Sequence, residues 1–316
     1  MGAKIFHLPS MRYPSFTKVF HHFLRHHPEY RVIHSNIDER SCIPLRIAKE
    51  EGVPIRIAHA HSTKVTKDIL VPIRSYYRHR VPQYATHYFA CGEEAGRWLF
   101  GNKAVESGKV MIVRNAIDLN SYDYSISKRE TQRHNLGVKD NQLVIGTVGR
   151  LETVKNQEFL IRVFKEITLR YPNSLLYIVG EGSLHEQLIR LAEKLQLTEN
   201  VCFTGSVADD WNYMMAMDAF ILPSLYEGFP MALAEAQITG LPCYASSNIP
   251  EESDITGNLS FVSLNESPST WADKVLKGIG NFHRCNQSAA AQKAQLDIEI
   301  EAKKLQEFYI NELGKL

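Results

Sequence analysis

The sequence lacks the features that define several classes of protein. Its five cysteines stand singly, without any C-x-x-C spacing, which argues against a disulfide framework and against a zinc site. No apolar run approaches the length of a membrane span, and the first 14 residues contain no apolar segment long enough for a signal peptide. Repeats and low-complexity tracts are also absent. These absences favour a globular protein of a reducing cytoplasm.

The length and the charge distribution point to two different halves. A chain of 316 residues, 44% of them hydrophobic, is long enough for two domains. The net charge of +1 conceals 21 Lys and Arg against 12 Asp and Glu in residues 1–137, and 15 against 23 in the remainder. Such a division predicts that the first half faces a polyanion or an anionic membrane surface. No aromatic-rich motif or recognition helix accompanies the basic charge, so we do not expect nucleic acid as a partner.

Strand-like and helix-like segments alternate along the chain. In the first 115 residues, strand-like runs lie at 3–8, 31–35, 54–60, 87–91 and 110–114, with helix-like segments between them. The polar stretch 120–141 is typical of a linker, and the alternation resumes at residue 143. This pattern predicts an α/β fold with two doubly wound domains and a ligand cleft between them. The last segment, 292–313, predicts an amphipathic helix.

A strand, a loop and a helix that begins at Pro230 are predicted for residues 218–242. The sequence of this stretch is D-A-F-I-L-P-S-L-Y-E-G-F-P-M-A-L-A-E-A-Q-I-T-G-L-P. The unpaired N–H groups and the dipole of a helix N-terminus attract phosphate. The carboxylates of Glu227 and Glu235 would accept hydrogen bonds from hydroxyl groups. A nucleotide-sugar, with hydroxyls on both sides of a diphosphate, meets both requirements. The alternative is that Glu227 is a solvated loop residue and that Glu235 caps a helix or pairs with a lysine.

Two more glycine-containing segments follow predicted strands. In I-G-T-V-G-R-L-E-T-V-K-N-Q (145–157), Gly149 allows the backbone to approach a ligand, and Arg150 and Lys155 supply positive charge for phosphate oxygens. In Y-I-V-G-E-G-S (177–183), a strand runs into a glycine turn and a serine that can cap a helix. Taken singly, both segments are as typical of ordinary surface turns as of a site.

A histidine pair stands at the end of a predicted strand in the first half. In I-R-I-A-H-A-H-S-T, His59 and His61 lie on the same face because side chains alternate along a strand. No carboxylate or cysteine accompanies them at ligand spacing, so we expect no metal there. The basic and aromatic segment 64–80, K-V-T-K-D-I-L-V-P-I-R-S-Y-Y-R-H-R, is either an ordinary helix or a contact for anionic lipid or a lipid-pyrophosphate acceptor.

Several of these segments resemble one family. The string S-L-Y-E-G-F-P-M-A-L-A-E-A, with G-L-P behind it, resembles the donor-binding signature of the family 4 glycosyltransferases, which have the GT-B fold. The segment G-R-L-E-T-V-K matches the family pattern G-R-L-x-x-x-K. Three further segments are similar to sequences of the exopolysaccharide and capsule branch of this family: V-I-H-S, R-I-A-H-A-H-S and N-A-I-D-L. The resemblance extends over most of the chain.

The resemblance implies roles for particular residues. Catalytic roles would fall to His61, Arg150, Lys155 and Glu227. The implied donor-binding residues are Gly149, Gly180, Glu181, Gly182, Val207, Gly228, Phe229, Pro230, Met231, Ala232 and Glu235. Neither a metal nor a cofactor is implied, because the nucleotide-sugar is itself a substrate. The implied domains are 1–138 on the acceptor side, 139–290 for the donor, and a C-terminal helix within 291–316 that crosses back to the first domain.

The activity implied by the resemblance is retaining transfer of a sugar, with a UDP-linked donor and a glycan or polyprenyl-pyrophosphate-linked acceptor. We expect such a protein in the cytoplasm, at or near the inner face of the plasma membrane. The family begins with a strand and a glycine-rich turn, whereas this chain opens with A-K-I-F-H-L-P-S, which resembles an internal strand. An incomplete first domain is therefore expected, and the second hypothesis is a non-catalytic nucleotide-sugar-binding remnant. A sugar-nucleotide epimerase is a third.

Overall fold

The structure, a computed structural model, describes residues 4–62, 71–280 and 282–316. The chain forms two compact units, each built on its own parallel sheet. The first unit contains the described residues up to Ala116 together with Glu299–Leu316, and the second is Ile117–Ile298. Two separate parts of the sequence therefore make up the first unit. All five cysteines are free.

Four parallel strands form the sheet of the first unit, in the order β1-β2-β3-β4. They are β1 (Val32–Ser35), β2 (Ile55–Ala60), β3 (His87–Ala90) and β4 (Val110–Ile112). The helices are α1 (Ser15–His26), α2 (Cys42–Glu50), α3 (Val71–Tyr84), α4 (Glu93–Phe100) and α5 (Asn102–Glu106). Most residues of β2 and β3 are buried, which is typical of a parallel sheet covered on both faces.

The start of the first unit differs from the prediction. The strand predicted at 3–8 is wrong over its described residues, 4–8, which form no regular secondary structure. Ile5 is 81% exposed, and the ring of Phe6 packs edge-on against Phe23 of α1, with 4.9 Å between centroids. Phe6 thus packs on a helix, whereas Ile5 faces solvent. Residues 63–70, the first part of the basic segment 64–80, lie outside the described residues.

Six parallel strands form the sheet of the second unit, in the order β10-β9-β8-β5-β6-β7. The helices of this unit are α6 (Leu119–Tyr122), α7 (Ile126–Asn135), α8 (Gln157–Arg170), α9 (His185–Lys194), α10 (Trp211–Ala216), α11 (Met231–Ile238), α12 (Pro268–Gly280) and α13 (Ser288–Lys293). The strands are β5 (Val144–Val148), β6 (Leu175–Val179), β7 (Val201–Gly205), β8 (Ala219–Leu222), β9 (Cys243–Ser246) and β10 (Leu259–Val262). The order reverses between β5 and β8, the position at which open α/β sheets bind their ligands.

The stretch 120–141, predicted to be a linker, contains α7 and belongs to the second unit. Arg129 and Arg133 of α7 both donate to the carboxylate of Asp218, at 2.5 and 3.3 Å, and to the Ala216 carbonyl at the end of α10. The division between the units accordingly falls at Ala116, ahead of the predicted boundary at 138. Ion pairs from Arg129 and Arg133 to Asp218 attach α7 to the second unit. Because polar contacts make this attachment, the helix sequence shows little of the apolar periodicity by which helices are predicted.

The C-terminal helix α14 (Ile298–Gly314) packs in the first unit from Glu299 onwards. Its apolar side chains contact buried residues of the β1–β4 sheet. The contacting residues are Leu305, Phe308 and Tyr309 on the helix and Ile55, Ile57 and Phe89 in the sheet. The helix therefore covers one face of this sheet. The single helix predicted over 292–313 is interrupted, because Gln295 adopts a left-handed conformation with φ +60° between α13 and α14.

Candidate functional site

Glycine turns meet at the carboxyl ends of neighbouring strands in the second unit. Gly149 follows β5 with φ +153°, and Gly180 follows β6 with φ +132°. A Cβ on Gly180 would lie 2.2 Å from the Gly149 carbonyl oxygen, and one on Gly182 would lie 2.4 Å from the Leu151 oxygen. Only glycine permits backbones to approach so closely. The structure thus brings together Gly149, Gly180 and Gly182, three of the predicted donor-binding residues.

Hydrogen bonds fix the loop that carries Arg150. The Leu151 N–H donates to the Glu181 carbonyl at 2.9 Å, and the Gln157 side chain donates to the Arg150 carbonyl at 2.9 Å. Glu152 accepts from the backbone N–H and the hydroxyl of Ser183, and these bonds hold the pKa of its carboxyl below the usual range. The side chains of Arg150 and Glu181 are exposed. A rigid backbone therefore presents the Arg150 guanidinium to solvent at the sheet edge.

Lys155 and Glu227 form an ion pair between the loops that follow β5 and β8. The Lys155 Nζ donates to Glu227 Oε1 at 2.7 Å, and the Ser224 hydroxyl donates to the same oxygen at 2.7 Å. The two charged side chains are 19% and 14% exposed. Asn156 adopts a left-handed conformation with φ +55°, and its amide donates to the Pro223 carbonyl at 3.1 Å. These contacts join two loops that are far apart in the sequence.

The loop after β8 ends at the N-terminus of α11. Gly228 is exposed, Phe229 is half-buried and Pro230 immediately precedes the helix. The N–H groups of Leu233 and Ala234 are the first to pair, both with the Pro230 carbonyl. Within the described residues, the Met231 and Ala232 N–H groups form no hydrogen bond to a main-chain carbonyl. They are the donors that a helix N-terminus offers to an anion.

Glu235 lies one turn inside α11, in a cluster with Asp210 and Tyr122. Burial, reinforced by the nearby Asp210 carboxylate, raises the pKa of Glu235 to about 7. The Tyr122 hydroxyl donates to Asp210 Oδ1 at 2.6 Å. Burial, this hydrogen bond and the proximity of Glu235 raise the pKa of Tyr122. No motif in the sequence marks either partner, because Tyr122 lies in the stretch predicted to be a linker and Asp210 lies in a short polar turn.

The remaining predicted donor residue, Val207, lies in the loop after β7. It packs against an apolar cluster of the second unit that contains Tyr177 and Met214. The preceding Gly205 accepts a hydrogen bond from the Gly180 N–H at 2.9 Å, so the loops after β6 and β7 are also joined. Every donor-side residue predicted from the sequence therefore belongs to the second unit and lies on a loop or helix that follows a strand's carboxyl end.

His61 stands just after β2 in the first unit. The Asp38 Oδ1 accepts hydrogen bonds from the N–H groups of His61 and Ser62, at 2.6 and 3.1 Å. The His61 Nε2 lies 3.1 Å from Asn36 Oδ1. The imidazole rings of His59 and His61 are 4.1 Å apart, which confirms that they share a face. Asp38 itself adopts a left-handed conformation, with φ +51°, and so is held in an unusual backbone geometry by these bonds.

A third histidine, His34 of β1, joins this pair. Its Nε2 lies 3.0 Å from His59 Nδ1, and its Nδ1 lies 2.5 Å from the Tyr309 hydroxyl of α14. Burial lowers the pKa of His34 to about 4 and that of His59 to about 3, and it also lowers the pKa of His61. All three imidazoles are therefore neutral at pH 7. In the described part of the chain, no three His, Cys, Asp or Glu side chains form a group that could hold a metal ion.

Comparison with known proteins identifies the family. Residues 128–293 match the family model of the group 1 glycosyl transferases. EpsF of Bacillus subtilis (strain 168), which is named as a glycosyltransferase, is 30% identical to this chain over 286 residues, or 88% of the chain and 74% of EpsF. The chain belongs to the group 1 glycosyl transferases. The family predicted from the sequence motifs is thus confirmed.

Other relatives and solved structures resemble the chain more distantly. An Escherichia coli protein named UDP-Gal:alpha-D-GlcNAc-diphosphoundecaprenol alpha-1,3-galactosyltransferase is 28% identical over 225 residues, which cover 69% of this chain and 58% of that protein. The crystal structure of Anabaena HepE with UDP-glucose has a TM-score of 0.73 at 19% identity, covering 93% of this chain and 82% of HepE. This likeness confirms the predicted α/β fold of GT-B type. No helix among the described residues is both long and apolar enough to cross a membrane.

Proposed function

We propose that this group 1 glycosyl transferase is a retaining enzyme. It would move a hexose from a UDP-linked donor to a hydroxyl of a lipid-linked or glycan acceptor in the synthesis of a bacterial surface polysaccharide. The observation that carries the proposal is the meeting of glycine turns, two cations and two carboxylates at one edge of the β5–β10 sheet. The UDP-glucose complex of HepE and the diphosphoundecaprenol-linked acceptor named for the Escherichia coli relative support the choice of donor and acceptor.

The donor's diphosphate would lie against the cations and the helix N-terminus. Arg150 can present two parallel N–H groups to phosphate oxygens, and Lys155 adds a point charge. The Met231 and Ala232 N–H groups complete the anion site. Glu235 would accept hydrogen bonds from the ribose hydroxyls. The turn 180–182 and Val207 would face the nucleoside, because they follow the strands on the same side of β5.

The Lys155–Glu227 ion pair would have to break when the donor binds. In the structure, Lys155 and Ser224 both bond to Glu227 Oε1. A bound diphosphate, with more negative charge than one carboxylate, would draw the Lys155 ammonium away from Glu227. Glu227 would then be free to accept hydrogen bonds from hexose hydroxyls. Donor binding would therefore prepare the sugar-binding carboxylate.

In the transfer step, the bond between the sugar C1 and the β-phosphate oxygen breaks, and its electron pair remains on the phosphate. The acceptor hydroxyl oxygen attacks C1 from the face that the phosphate leaves, so the configuration at C1 is retained. The acceptor's proton passes to a phosphate oxygen of the leaving UDP. Arg150, Lys155 and the α11 N-terminus stabilise the charge that develops on the diphosphate. These groups supply the positive charge, and we propose that no metal is required.

His61 of the first unit would act on the sugar or the acceptor as a neutral group. Its lowered pKa leaves one imidazole nitrogen as a hydrogen-bond acceptor at pH 7. The bonds from its N–H and from Ser62 to Asp38 fix the backbone that carries it. We propose that the imidazole orients a hydroxyl rather than transferring a proton.

Alanine variants of the two cations test the donor site. Arg150→Ala and Lys155→Ala should each weaken UDP-glucose binding about tenfold or more, since hydrogen bonds to charged groups contribute roughly 1.5–3 kcal/mol. Binding of uridine, which has no phosphate, should change little. Isothermal titration calorimetry gives both affinities, and Arg190→Ala, an exposed arginine of α9, is the matched control. An equal loss for both ligands would assign the two residues a structural role.

Turnover separates the enzyme from the second candidate, a protein that binds nucleotide-sugars without transferring them. With a polyprenyl-pyrophosphate-linked glycan as acceptor, UDP release and a lengthened glycan should appear together, and EDTA should leave the initial rate unchanged. Binding of UDP-glucose without either product would favour the non-catalytic protein. A rate abolished by EDTA and restored by magnesium would contradict the metal-free mechanism.

A further inference from the structure

The first unit contains a cavity of about 360 Å³ among α1, α2 and α3. Its volume is within the range of small-molecule sites, roughly 300–1,000 Å³. Residues of the segment before α1 and of all three helices line it, among them three arginines (Arg12, Arg46 and Arg80) and four tyrosines (Tyr13, Tyr76, Tyr77 and Tyr84). None of them belongs to the donor residues of the second unit or to the His61 group. The cavity is therefore a separate feature of the molecule.

The charge of this lining is entirely positive. Arg12, Arg46 and Arg80 come from three different segments, and no Asp or Glu lines the cavity. Among the described residues, the ion pair of Arg46 is a long contact with Glu50 of its own helix, at 3.9 Å. Across residues 4–62, 71–280 and 282–316, no carboxylate forms an ion pair with Arg12 or Arg80. Three guanidinium groups thus border one space whose lining includes no carboxylate, and this charge favours an anion there.

Tyrosine side chains hold one of these guanidinium groups in place. The Arg80 guanidinium carbon lies 5.1 Å from the centre of the Tyr76 ring, and the group donates to the Tyr84 hydroxyl at 3.4 Å. Arg46 of α2 lines the same cavity. The forked donors of the two guanidinium groups match the oxygens of a phosphoryl group.

The rest of the wall is aromatic and apolar. Four tyrosines supply flat faces, and Met11, Pro14 and Ile43 supply aliphatic surface. A small inorganic anion would use only the arginines, whereas a phosphoryl group attached to an apolar stem would use both parts of the wall. The chemistry of the ligand follows from this combination.

We propose that this cavity binds the phosphoryl group of an amphiphilic phosphate or diphosphate, with the arginines on the phosphoryl oxygens and the tyrosines on the apolar stem. Two sources carry this chemistry, an anionic phospholipid headgroup at a membrane surface and a free phosphorylated ligand. The proposal does not depend on sugar transfer by the second unit. It assigns the basic first unit a defined binding site in place of a diffuse surface charge.

Calorimetric titration of the full chain with inorganic pyrophosphate tests the arginines directly. All proteins carry Arg150→Ala, so that the proposed diphosphate site of the second unit is weakened. In this background, Arg46→Gln with Arg80→Gln should weaken pyrophosphate binding about tenfold or more. The matched control, Arg31→Gln with Arg97→Gln, removes the same charge from the same unit outside the cavity and should change the affinity less than about twofold. Circular dichroism checks that each variant is folded.

Vesicle sedimentation in low salt distinguishes the two sources. Vesicles of phosphatidylcholine with phosphatidylglycerol should retain the wild-type chain and release the Arg46→Gln, Arg80→Gln variant, if the ligand is a membrane headgroup. Loss of pyrophosphate affinity without any vesicle effect assigns a free phosphorylated ligand. The proposal is overturned if neither probe responds to the cavity substitutions, or if the control variant loses as much binding. Failure of the donor site would show separately, as equal UDP affinity of wild type and Arg150→Ala.

Discussion

At the scale of single residues, the surroundings of Glu235 change the charge that this side chain carries near neutral pH. Its carboxyl is half-buried beside Asp210, and its pKa of about 7 lies far above that of a free glutamate. In the folded protein, Glu235 therefore keeps a proton over a pH range in which the unfolded chain has lost it. Stability gained in this way is complete below the unfolded pKa, near 4.5, and disappears as the pH rises through 7.

Glu235→Gln should remove this pH dependence. Between pH 5 and pH 8, the wild type should lose on the order of 2 kcal/mol more of its unfolding free energy than the variant, because each pKa unit corresponds to about 1.4 kcal/mol. Urea unfolding at both pH values measures the difference. Glu193→Gln, at an exposed position of α9, is the control and should follow the wild type. Identical pH profiles for wild type and Glu235→Gln would show that the carboxyl titrates normally.

At the scale of secondary-structure elements, the close contact of the loops after β5 and β6 depends on Gly180. Gly180→Ala would place a Cβ 2.2 Å from the Gly149 oxygen at a left-handed φ of +132°. We expect the variant to lose about 2 kcal/mol or more of stability and to bind UDP-glucose weakly, since Arg150 lies in the displaced loop. Gly280→Ala, where no atom lies within 4 Å of the added Cβ, is the control. Denaturant midpoints and calorimetry that match for the two variants would contradict this role.

The same elements show what the sequence could predict. The alternation predicted to resume at residue 143 begins with β5 at Val144, and the helix predicted to begin at Pro230 begins as α11 at Met231. Apolar runs, glycines and Pro230 mark these elements locally. Helix α7 was not predicted from the sequence, because its sequence has no apolar stripe. Arg129 and Arg133 attach it to Asp218 instead. The Tyr122–Asp210 bond joins residues 88 positions apart in the chain, and no local pattern encodes such a pair.

The candidate site residues also divide into those that local motifs predict and contacts that only the tertiary structure shows. The motifs predict Arg150, Lys155 and Glu227 in loops after strands and Glu235 on the following helix, and the structure places all four in the second unit. The bond from Lys155 to Glu227 has no sequence signal, because it depends on how the loops after β5 and β8 approach each other. Sequence motifs thus supply the candidate residues, whereas only the tertiary structure shows the contacts between them.

At the scale of the whole molecule, the charge division follows the two structural units. The first unit, residues 1–116 with 299–316, has 21 Lys and Arg against 13 Asp and Glu, and the second has 15 against 22. The structure places α7 in the second unit and α14, from Glu299 onwards, in the first. The difference in charge between the two parts of the chain therefore remains when they are defined by the structure instead of by residue 137. A basic unit of this kind should approach an anionic surface faster in low salt than in high salt, since screening at 0.1 M acts over about 10 Å.

The stability of the first unit should depend on α14. Phe308→Ala removes a ring that lies 4.9 Å from the ring of Phe89, and we expect a loss of about 2 kcal/mol, less than for a fully buried phenylalanine. Hydrogen exchange should accelerate in β1–β4 and remain unchanged in β5–β10. Ile310→Ala, at a side chain that is 59% exposed, is the control on the same helix. Equal exchange rates in the β1–β4 sheet of both variants would show that the helix does not support this sheet.

The position of α14 has a consequence for how the chain is made. A ribosome completes β1–β4 before the second unit, but the helix that covers Ile55, Ile57 and Phe89 emerges only after the second unit has been synthesised. At about 5–20 residues per second, synthesis of the intervening Ile117–Ile298 takes roughly 10–40 s. Throughout that interval the apolar face of the first sheet has no helix over it. The second unit, whose sequence is continuous, can finish folding first, while the nascent first unit keeps this apolar surface exposed to aggregation.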